Sequence, residues 1–183
     1  MEKTEPDPFC SRCSAAVAVC VPAGDTHPRR VCTGCGAIHY DNPKVLVGSV
    51  ATWQDRVLLV RRAIPPRRNH WTLPAGFLEL GESSADGAVR EAREEANASI
   101  VTGPLLGVFD LPYIGQVQLI YRAQLTDATI SPGDEALQVA LFGWHDIPWD
   151  DLAFVTVAWA LQHAMQWRSE ATPLPLVQTK GEP

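Results

Sequence analysis

The chain has 183 residues, of which 46% are hydrophobic and 20% are charged, and its formal net charge is −6. This length accommodates one domain of ordinary size together with a small module, and the composition is that of a globular protein. The negative charge argues against broad affinity for nucleic acid through a basic surface. The sequence contains no apolar run of ~18 residues, so no contact with a membrane is expected. Its N-terminus lacks the basic flank of a signal peptide, so we expect a cytoplasmic protein.

Two cysteine pairs near the N-terminus predict a zinc site. Cys10 and Cys13 form one Cys-x-x-Cys pair, and Cys32 and Cys35 form the second. Their spacing is typical of four-cysteine zinc sites, because soft thiolates favour Zn²⁺. Such a closed site is structural, since it leaves no position for a reactive water. We therefore predict a zinc ribbon over residues 1–40. Disulfides are the weaker alternative, because nothing in the sequence indicates secretion.

The rest of the chain alternates between predicted strands and helices. A turn at 41–43 ends the ribbon. Hydrophobic patterns predict strands at 44–51, 56–62, 100–101, 105–111, 116–125 and 139–144. A late helix is predicted at about 154–168, and three prolines in the last dozen residues indicate a tail over 171–183. The pattern predicts an α/β domain over 41–170, with a mixed sheet between helices.

The stretch from Gly76 to Ala98 carries the densest cluster of acidic residues. Glu91, Glu94 and Glu95 are three and four positions apart, so a helix projects them from one face. Ser83 or Ser84 is predicted to cap the start of this helix. Three carboxylates on one face repel each other unless a cation lies between them, and Mg²⁺ binds carboxylates together with substrate phosphates. A solvated acidic face is the alternative interpretation.

The complete stretch resembles the Nudix box, a loop–helix–loop that binds divalent metal and cleaves diphosphates linked to a nucleoside. The motif spans Gly76, Glu82, Arg90-Glu91-Ala92-x-Glu94-Glu95 and Asn97-Ala98, and all of its charged positions are present at their spacing. One position departs, since the family has Gly where this chain has Asn97. We expect a left-handed backbone there, which Asn tolerates better than most residues, and we expect activity to be retained.

This resemblance implies a Nudix α/β/α sandwich over about 44–168 and a site for Mg²⁺ or Mn²⁺. The implied metal ligands are Glu91, Glu94 and Glu95, together with the backbone carbonyl of Ala75 or Gly76.

Further residues are assigned to catalysis by the same resemblance. Glu82 and Arg90 are expected to orient the metal ligands. Catalysis is assigned to Glu94, Arg90 and a general base from a late loop, for which Glu135 is the candidate. A solvated loop acid is the alternative interpretation of Glu135.

Substrate-binding residues are less sharply indicated. Arg61, Arg62, Arg67 and Arg68 are candidates for binding phosphates, because arginine offers paired donors, and Arg61 and Arg67 are selected among them. The alternative is that each is a solvated loop residue. Phe77 and Tyr113 are candidates for stacking on an adenine or flavin ring, and packing in the core is the alternative for each.

A zinc ribbon directly before such a domain resembles the NADH pyrophosphatase branch. It resembles more closely the compact zinc-ribbon Nudix hydrolases that act on ADP-ribose or FAD. The segments that carry this closer match are Phe9-Cys10-x-x-Cys13, His39-Tyr40-x-Asn42-Pro43-Lys44, Arg61-Arg62-Ala63-Ile64, Trp71-Thr72-Leu73-Pro74-Ala75-Gly76-Phe77, Phe109-Asp110-Leu111-Pro112 and Ile147-Pro148-Trp149. Residues 109–117 read F-D-L-P-Y-I-G-Q-V and lack the Ser-Gln-Pro-Trp-Pro motif of the NADH enzymes, which disfavours NADH.

The resemblance therefore implies a homodimeric enzyme. It would hydrolyse FAD, ADP-ribose or NADH to two phosphomonoesters, and no nucleic-acid partner is expected. Two alternatives remain open. One is a ligand sensor or regulator whose ribbon binds nucleic acid, and the other is an enzyme that removes an NAD cap from RNA. An intact set of box carboxylates favours catalysis over sensing.

Overall fold

The computed structural model describes residues 8–169 and 174–181, and the chain divides into two compact units, Met1–Asn42 and Pro43–Pro183. The smaller unit contains a three-stranded antiparallel sheet with β2 in the middle. Its strands are β1 (Val17–Cys20), β2 (Arg29–Cys32) and β3 (Ile38–His39). So short a sheet buries little apolar surface, which is why a cross-link through the cysteines matters for its stability.

The larger unit is built on one mixed sheet with the strand order β10-β5-β4-β9-β8-β11. The pairs β4–β9 and β8–β11 are parallel, and the other neighbours along this path are antiparallel. Two short strands, β6 and β7, pair with β5 and β4 respectively. The strands are β4 (Lys44–Trp53), β5 (Arg56–Arg62), β6 (Trp71–Thr72), β7 (Ala75–Phe77), β8 (Ile100–Leu111), β9 (Gln116–Leu125), β10 (Ala136–Gly143) and β11 (Leu176–Thr179).

Two helices, α1 (Ser84–Ala96) and α2 (Val155–Gln166), cover opposite faces of this sheet. Successive strand residues point to opposite faces, and the two hydrophobic clusters follow that alternation. Leu59 packs in the cluster that contains Val157 and Leu161 of α2, and its neighbour Leu58 packs in the cluster that contains Ala92 of α1. This arrangement confirms the predicted α/β/α sandwich. No helix in the described ranges is long and apolar enough to cross a membrane.

The structure corrects two details of the predicted strands. Residues 100–101 and 105–111 belong to one strand, Ile100–Leu111, because shifts in register on either side of Leu105 accommodate the Gly103-Pro104 interruption. The predicted tail over 171–183 contains the strand Leu176–Thr179, which pairs with Gly107–Asp110 at the edge of the sheet. Of the predicted tail, residues 171–173 and 182–183 lie outside the described residues.

Candidate active site

The acidic helix α1 has defined caps at both ends. The side chain of Ser83 accepts a hydrogen bond from the backbone N–H of Asp86 at 3.2 Å, as the sequence predicted for one of the two serines. At the other end Asn97 adopts the left-handed conformation, with φ 47°. Its N–H donates to the carbonyl of Arg93 at 2.9 Å, and the N–H of Ala98 donates to the carbonyl of Ala92 at 3.1 Å. The expected left-handed residue therefore ends the helix, although it is not glycine.

The three box carboxylates are not equally exposed. Glu91 and Glu95 are buried, with 8% and 7% of their surface exposed, whereas the side chain of Glu94 is 58% exposed. The backbone N–H of Ala75 donates to Glu95 Oε2 at 3.1 Å. A Cβ atom on Gly76 would lie only 2.3 Å from Glu91 Oε1, so the absence of a side chain at residue 76 makes room for this carboxylate. Residues 75 and 76 of β7 therefore border the buried carboxylates.

Arg90 binds three of the box carboxylates, those of Glu82, Glu91 and Glu94. Its Nε and Nη2 donate to the two oxygens of Glu82 at 3.0 and 2.9 Å. Its Nη1 donates to Glu91 Oε1 at 2.7 Å and to Glu94 Oε2 at 2.9 Å. The remaining contact is from Nη2 to the carbonyl of Phe77, at 3.0 Å. Because one guanidinium binds three carboxylates, it fixes the orientation of Glu91 and Glu94.

The electrostatics of the site favour a bound cation. Burial raises the pKa of Glu95 to about 8, with contributions from the charges of Glu91 and Glu135 and opposition from the N–H of Ala75 and the charge of Arg62. Burial also raises the pKa of Glu91, against the hydrogen bond and charge of Arg90. Two desolvated carboxylates are costly to ionise side by side, and a hard divalent cation removes that cost. The donor set therefore fits Mg²⁺ or Mn²⁺.

Glu135 lies on the loop that leads into β10. Its charge contributes to the raised pKa values of both Glu91 and Glu95, so this loop carboxylate lies near the box carboxylates. Its carbonyl accepts a hydrogen bond from the N–H of Ala63 at 2.8 Å. Immediately after Glu135, the pairing of β10 with β5 shifts in register between Ala136 and Gln138, and such bulges are frequent beside active sites.

The two arginines selected from the sequence for phosphate binding both bind backbone carbonyls. Arg61 Nε donates to the carbonyl of Asn69 at 3.1 Å, and its guanidinium lies over the ring of Trp71. Arg67 Nε donates to the carbonyl of Ala153 at 3.1 Å. These contacts attach the end of β5 and the loop after it to neighbouring backbone, and a role in binding phosphate stays a prediction for both residues.

Arg62 likewise binds a backbone carbonyl, since its Nε donates to that of Pro66 at 2.9 Å, and its guanidinium lies over the ring of Phe154. It differs from the other two in that its charge lowers the pKa of Glu95. The period-two pattern of β5 places Arg61 and Arg62 on opposite faces of the sheet, and the structure shows which face meets α1. Val60 packs in the same cluster as α1, and a residue two positions later faces the same side of the sheet. Arg61 follows Leu59 in the same way, toward the side of α2.

The rings of Phe77 and Tyr113, which the sequence predicts to stack on a substrate ring, each lie beneath a lysine ammonium group. Lys44 Nζ lies 5.3 Å from the ring centroid of Phe77, and Lys180 Nζ lies 5.6 Å from that of Tyr113. Phe77 is 48% exposed, so its ring is available to a ligand. Lys180 directly follows β11, and the sequence pattern does not predict that strand. The contact between Lys180 and Tyr113 could therefore not be predicted from the sequence.

The four predicted zinc ligands come together in the smaller unit. Their sulfur atoms all lie within 4.8 Å of one another. Cys10 and Cys35 Sγ are 3.8 Å apart, and Cys13 and Cys32 Sγ are 3.4 Å apart. A tetrahedral ion with Zn–S bonds of ~2.3 Å places its sulfurs about 3.8 Å apart, so the cluster fits Zn²⁺.

Backbone amides support the thiolate form of Cys32. The N–H groups of Cys35 and Gly34 donate to Cys32 Sγ at 3.3 and 3.4 Å. These two bonds, led by the one from Cys35, lower the pKa of Cys32 to about 6 against its burial. The N–H of Arg12 donates in the same way to Cys10 Sγ, at 3.4 Å. Thiolate is the form that binds metal.

Comparison with known families decides the assignment. A model described as the NUDIX domain matches residues 43–163, and a model described as Nudix N-terminal, a zinc ribbon, matches residues 8–41. The chain belongs to the Nudix family. A crystal structure of a NUDIX hydrolase from Nitrosomonas europaea superimposes on this Nudix chain with a TM-score of 0.89 at 45% identity, covering 94% of this chain and 99% of that one.

Two curated Nudix relatives carry names that specify a substrate. ADP-ribose pyrophosphatase of Methanocaldococcus jannaschii is 26% identical over 113 residues, which cover 60% of this chain and 67% of the relative. NAD-capped RNA hydrolase NudC of Pseudomonas aeruginosa is 29% identical over 136 residues, covering 72% of this chain. The match spans 46% of the length of NudC, so more than half of NudC lies outside the matched region.

Proposed function

We propose that the chain is a hydrolase that uses Mg²⁺ or Mn²⁺ to cleave the diphosphate of a nucleoside diphosphate linked to another group. The observation that carries this proposal is the burial of Glu91 and Glu95 against the backbone of Ala75 and Gly76, where both have raised pKa values. Arg90 binds Glu91, whereas Glu95 is bonded by the backbone N–H of Ala75. Burying these two ionised carboxylates is costly, so their position favours a metal site over a solvated acidic face.

The proposed roles of the box residues follow from their contacts. Glu91, Glu94 and Glu95 would hold the divalent cation, with the carbonyl of residue 75 or 76 as a further ligand. Bound there, the cation supplies charge neutralisation for the diphosphate and lowers the pKa of a bound water. Arg90 and Glu82 keep the carboxylates in place through the bonds described above.

Hydrolysis requires a proton acceptor as well. The oxygen of water bonds to one phosphorus, and the bond from that phosphorus to the bridging oxygen breaks, which leaves two phosphomonoesters. We propose that Glu135 accepts the proton of the attacking water, because its charge raises the pKa of both Glu91 and Glu95 and its carboxylate is therefore close to them.

ADP-ribose, FAD and NADH are the proposed substrates, with ADP-ribose first. ADP-ribose is supported by the name of the relative from M. jannaschii, and the match covers 67% of that relative's length. The similarity to NudC keeps NAD-capped RNA as a second candidate. We also propose that Zn²⁺ stabilises the ribbon, and that the enzyme is a homodimer, which light scattering after size exclusion would test.

The test is a hydrolysis screen with Mg²⁺ and with Mn²⁺, in which products are separated by chromatography. We expect AMP and ribose 5-phosphate from ADP-ribose. The matched control is Glu79→Gln, because Glu79 lies on the same loop as Glu82 with an exposed side chain, and only its backbone N–H contacts the site. That variant should retain the wild-type rate, whereas Glu94→Gln should be inactive.

A further inference from the structure

The loop that carries Glu135 is attached to the end of helix α1 by a side chain. The amide Nδ2 of Asn97 donates to the carbonyl of Ser131 at 3.1 Å and to that of Pro132 at 3.3 Å. Glycine, the residue of the family pattern at this position, offers the same left-handed backbone but has no amide to make these bonds. The departure of this chain from the pattern therefore adds two contacts.

Backbone contacts bring the same loop against the last turn of α1. The N–H of Ser131 donates to the carbonyl of Ala96 at 2.9 Å, and that of Gly133 donates to the carbonyl of Glu95 at 3.0 Å. These bonds use helix carbonyls that have no partner within the helix. A Cβ atom on Gly133 would lie 1.7 Å from the carbonyl oxygen of Glu94, so only glycine permits this approach.

Glu135 lies two residues beyond this attachment and is held from the other side as well. The N–H of Ala136 donates to the carbonyl of Gly133 at 3.1 Å, and the N–H of Ala63 donates to the carbonyl of Glu135 at 2.8 Å. Between the helix on one side and the loop after β5 on the other, the backbone of Glu135 has little freedom. A carboxylate that must reach one water molecule benefits from such restraint.

We propose that Asn97 is a positioning residue, which sets the distance between Glu135 and the box carboxylates by binding the carbonyls of Ser131 and Pro132. This inference rests on the proposed function, because it acts through the general base. The alternative is that Asn97 only caps α1. A cap is supplied equally well by glycine, so the substitution Asn97→Gly separates the two roles.

The test is a double-mutant cycle of Asn97→Gly with Glu135→Gln, in which kcat and KM are measured on the best substrate of the screen. We expect Asn97→Gly to lower kcat on the order of tenfold with KM unchanged, because a displaced base slows the reaction without weakening substrate binding. In the Glu135→Gln background the same substitution should change kcat by less than about twofold, since the base is already absent.

A matched control is available at Gln54, which has φ 52° in the turn between β4 and β5. Gln54→Gly makes the same kind of change at another left-handed position and should leave kcat unchanged. An unaltered kcat in Asn97→Gly, or an equal fold loss in both backgrounds, would overturn the proposal.

Amide hydrogen exchange gives a second readout that needs no turnover. In Asn97→Gly the N–H groups of Ser131 and Gly133 should exchange faster, whereas in Gln54→Gly they should exchange at the wild-type rate. Unchanged exchange at both amides would by itself overturn the attachment role. A wild-type protein that hydrolysed no substrate while Asn97→Gly accelerated this exchange would contradict the proposed function, and with it the catalytic consequence, but not the attachment of the loop.

Discussion

The guanidinium of Arg90 binds both carboxylate oxygens of Glu82, at 3.0 and 2.9 Å, and its remaining nitrogen reaches Glu91 and Glu94. Arg90 lowers the pKa of Glu82 to about 2, so this carboxylate stays ionised throughout the physiological range. The pair thus forms a fixed ionic anchor beside two residues that we propose as metal ligands.

Removing one charge of the anchor should impair catalysis without unfolding the protein. Glu82→Gln loses one acceptor of the paired bond to Arg90, so the guanidinium and the two carboxylates that it holds gain freedom. We expect kcat or metal affinity to fall on the order of 10- to 100-fold, the usual cost of losing a residue that orients metal ligands. Measured beside the Glu79→Gln control, equal activities of the two variants would remove the anchoring role of Glu82.

The buried acids should make the stability of the protein depend on pH when no divalent cation is bound. The folded-state pKa of Glu95 is raised from 4.5 to about 8, so the folded state binds more protons than the unfolded state between these values. Its stabilising contribution is present below about pH 4.5 and is lost as the pH rises toward 8. The melting temperature of the protein without Mg²⁺ or Mn²⁺ should therefore fall over this range.

Glu95→Gln should flatten this pH dependence, because glutamine does not titrate. Added Mn²⁺ should raise the melting temperature most at the alkaline end, where the carboxylates are ionised and bind metal without releasing a proton. A melting temperature that depends on pH equally in the wild-type protein and in Glu95→Gln would contradict the assignment.

The ribbon should depend on all four of its cysteines, but not on the fifth. Cys32→Ser replaces a soft thiolate and should release Zn²⁺ and lower the melting temperature. Cys20→Ser is the matched control, since Cys20 is exposed, unbonded and outside the cluster. Zinc content measured by elemental analysis should be one ion per chain in the control. An equal zinc content in Cys32→Ser would exclude the four-cysteine site.

Loss of the exposed ring of Phe77 should weaken substrate binding more than catalysis. We expect Phe77→Ala to raise KM several-fold, because stacking on a base is worth about 1–3 kcal/mol, while kcat changes little. Leu80→Ala is the control, since Leu80 is a fully exposed apolar residue three positions later, in the loop after β7. Matching KM values in the two variants would assign Phe77 to the protein surface.

The sequence was sufficient to predict those features that depend on short-range patterns. The spacing of Glu91, Glu94 and Glu95, a cap by one of two adjacent serines and the left-handed residue at Asn97 are all set within one helix and its ends. The two Cys-x-x-Cys pairs likewise follow from local spacing. In each case, residues a few positions apart determine the geometry.

Features that depend on packing between distant segments were not accessible in the same way. In the sequence, two prolines precede strand β11 and a third follows it, a composition that predicts a tail rather than a strand. The strand pairs with Gly107 to Asp110 of β8, about 70 residues earlier in the chain. The loop at 131–135 is similar, because its attachment to Asn97 spans more than 30 residues of sequence. The choice between Arg61 and Arg62 required knowledge of which face of β5 meets α1.

The measurement that tests the central claim most directly is the release of AMP from ADP-ribose by the wild-type protein and by Glu94→Gln, each with Mg²⁺ and with Mn²⁺. We predict turnover by the wild-type protein with at least one of the two metals, none without metal, and none by the variant with its fold and zinc content intact. Equal turnover by wild type and variant, or turnover in the complete absence of divalent metal, would contradict hydrolysis at the box carboxylates.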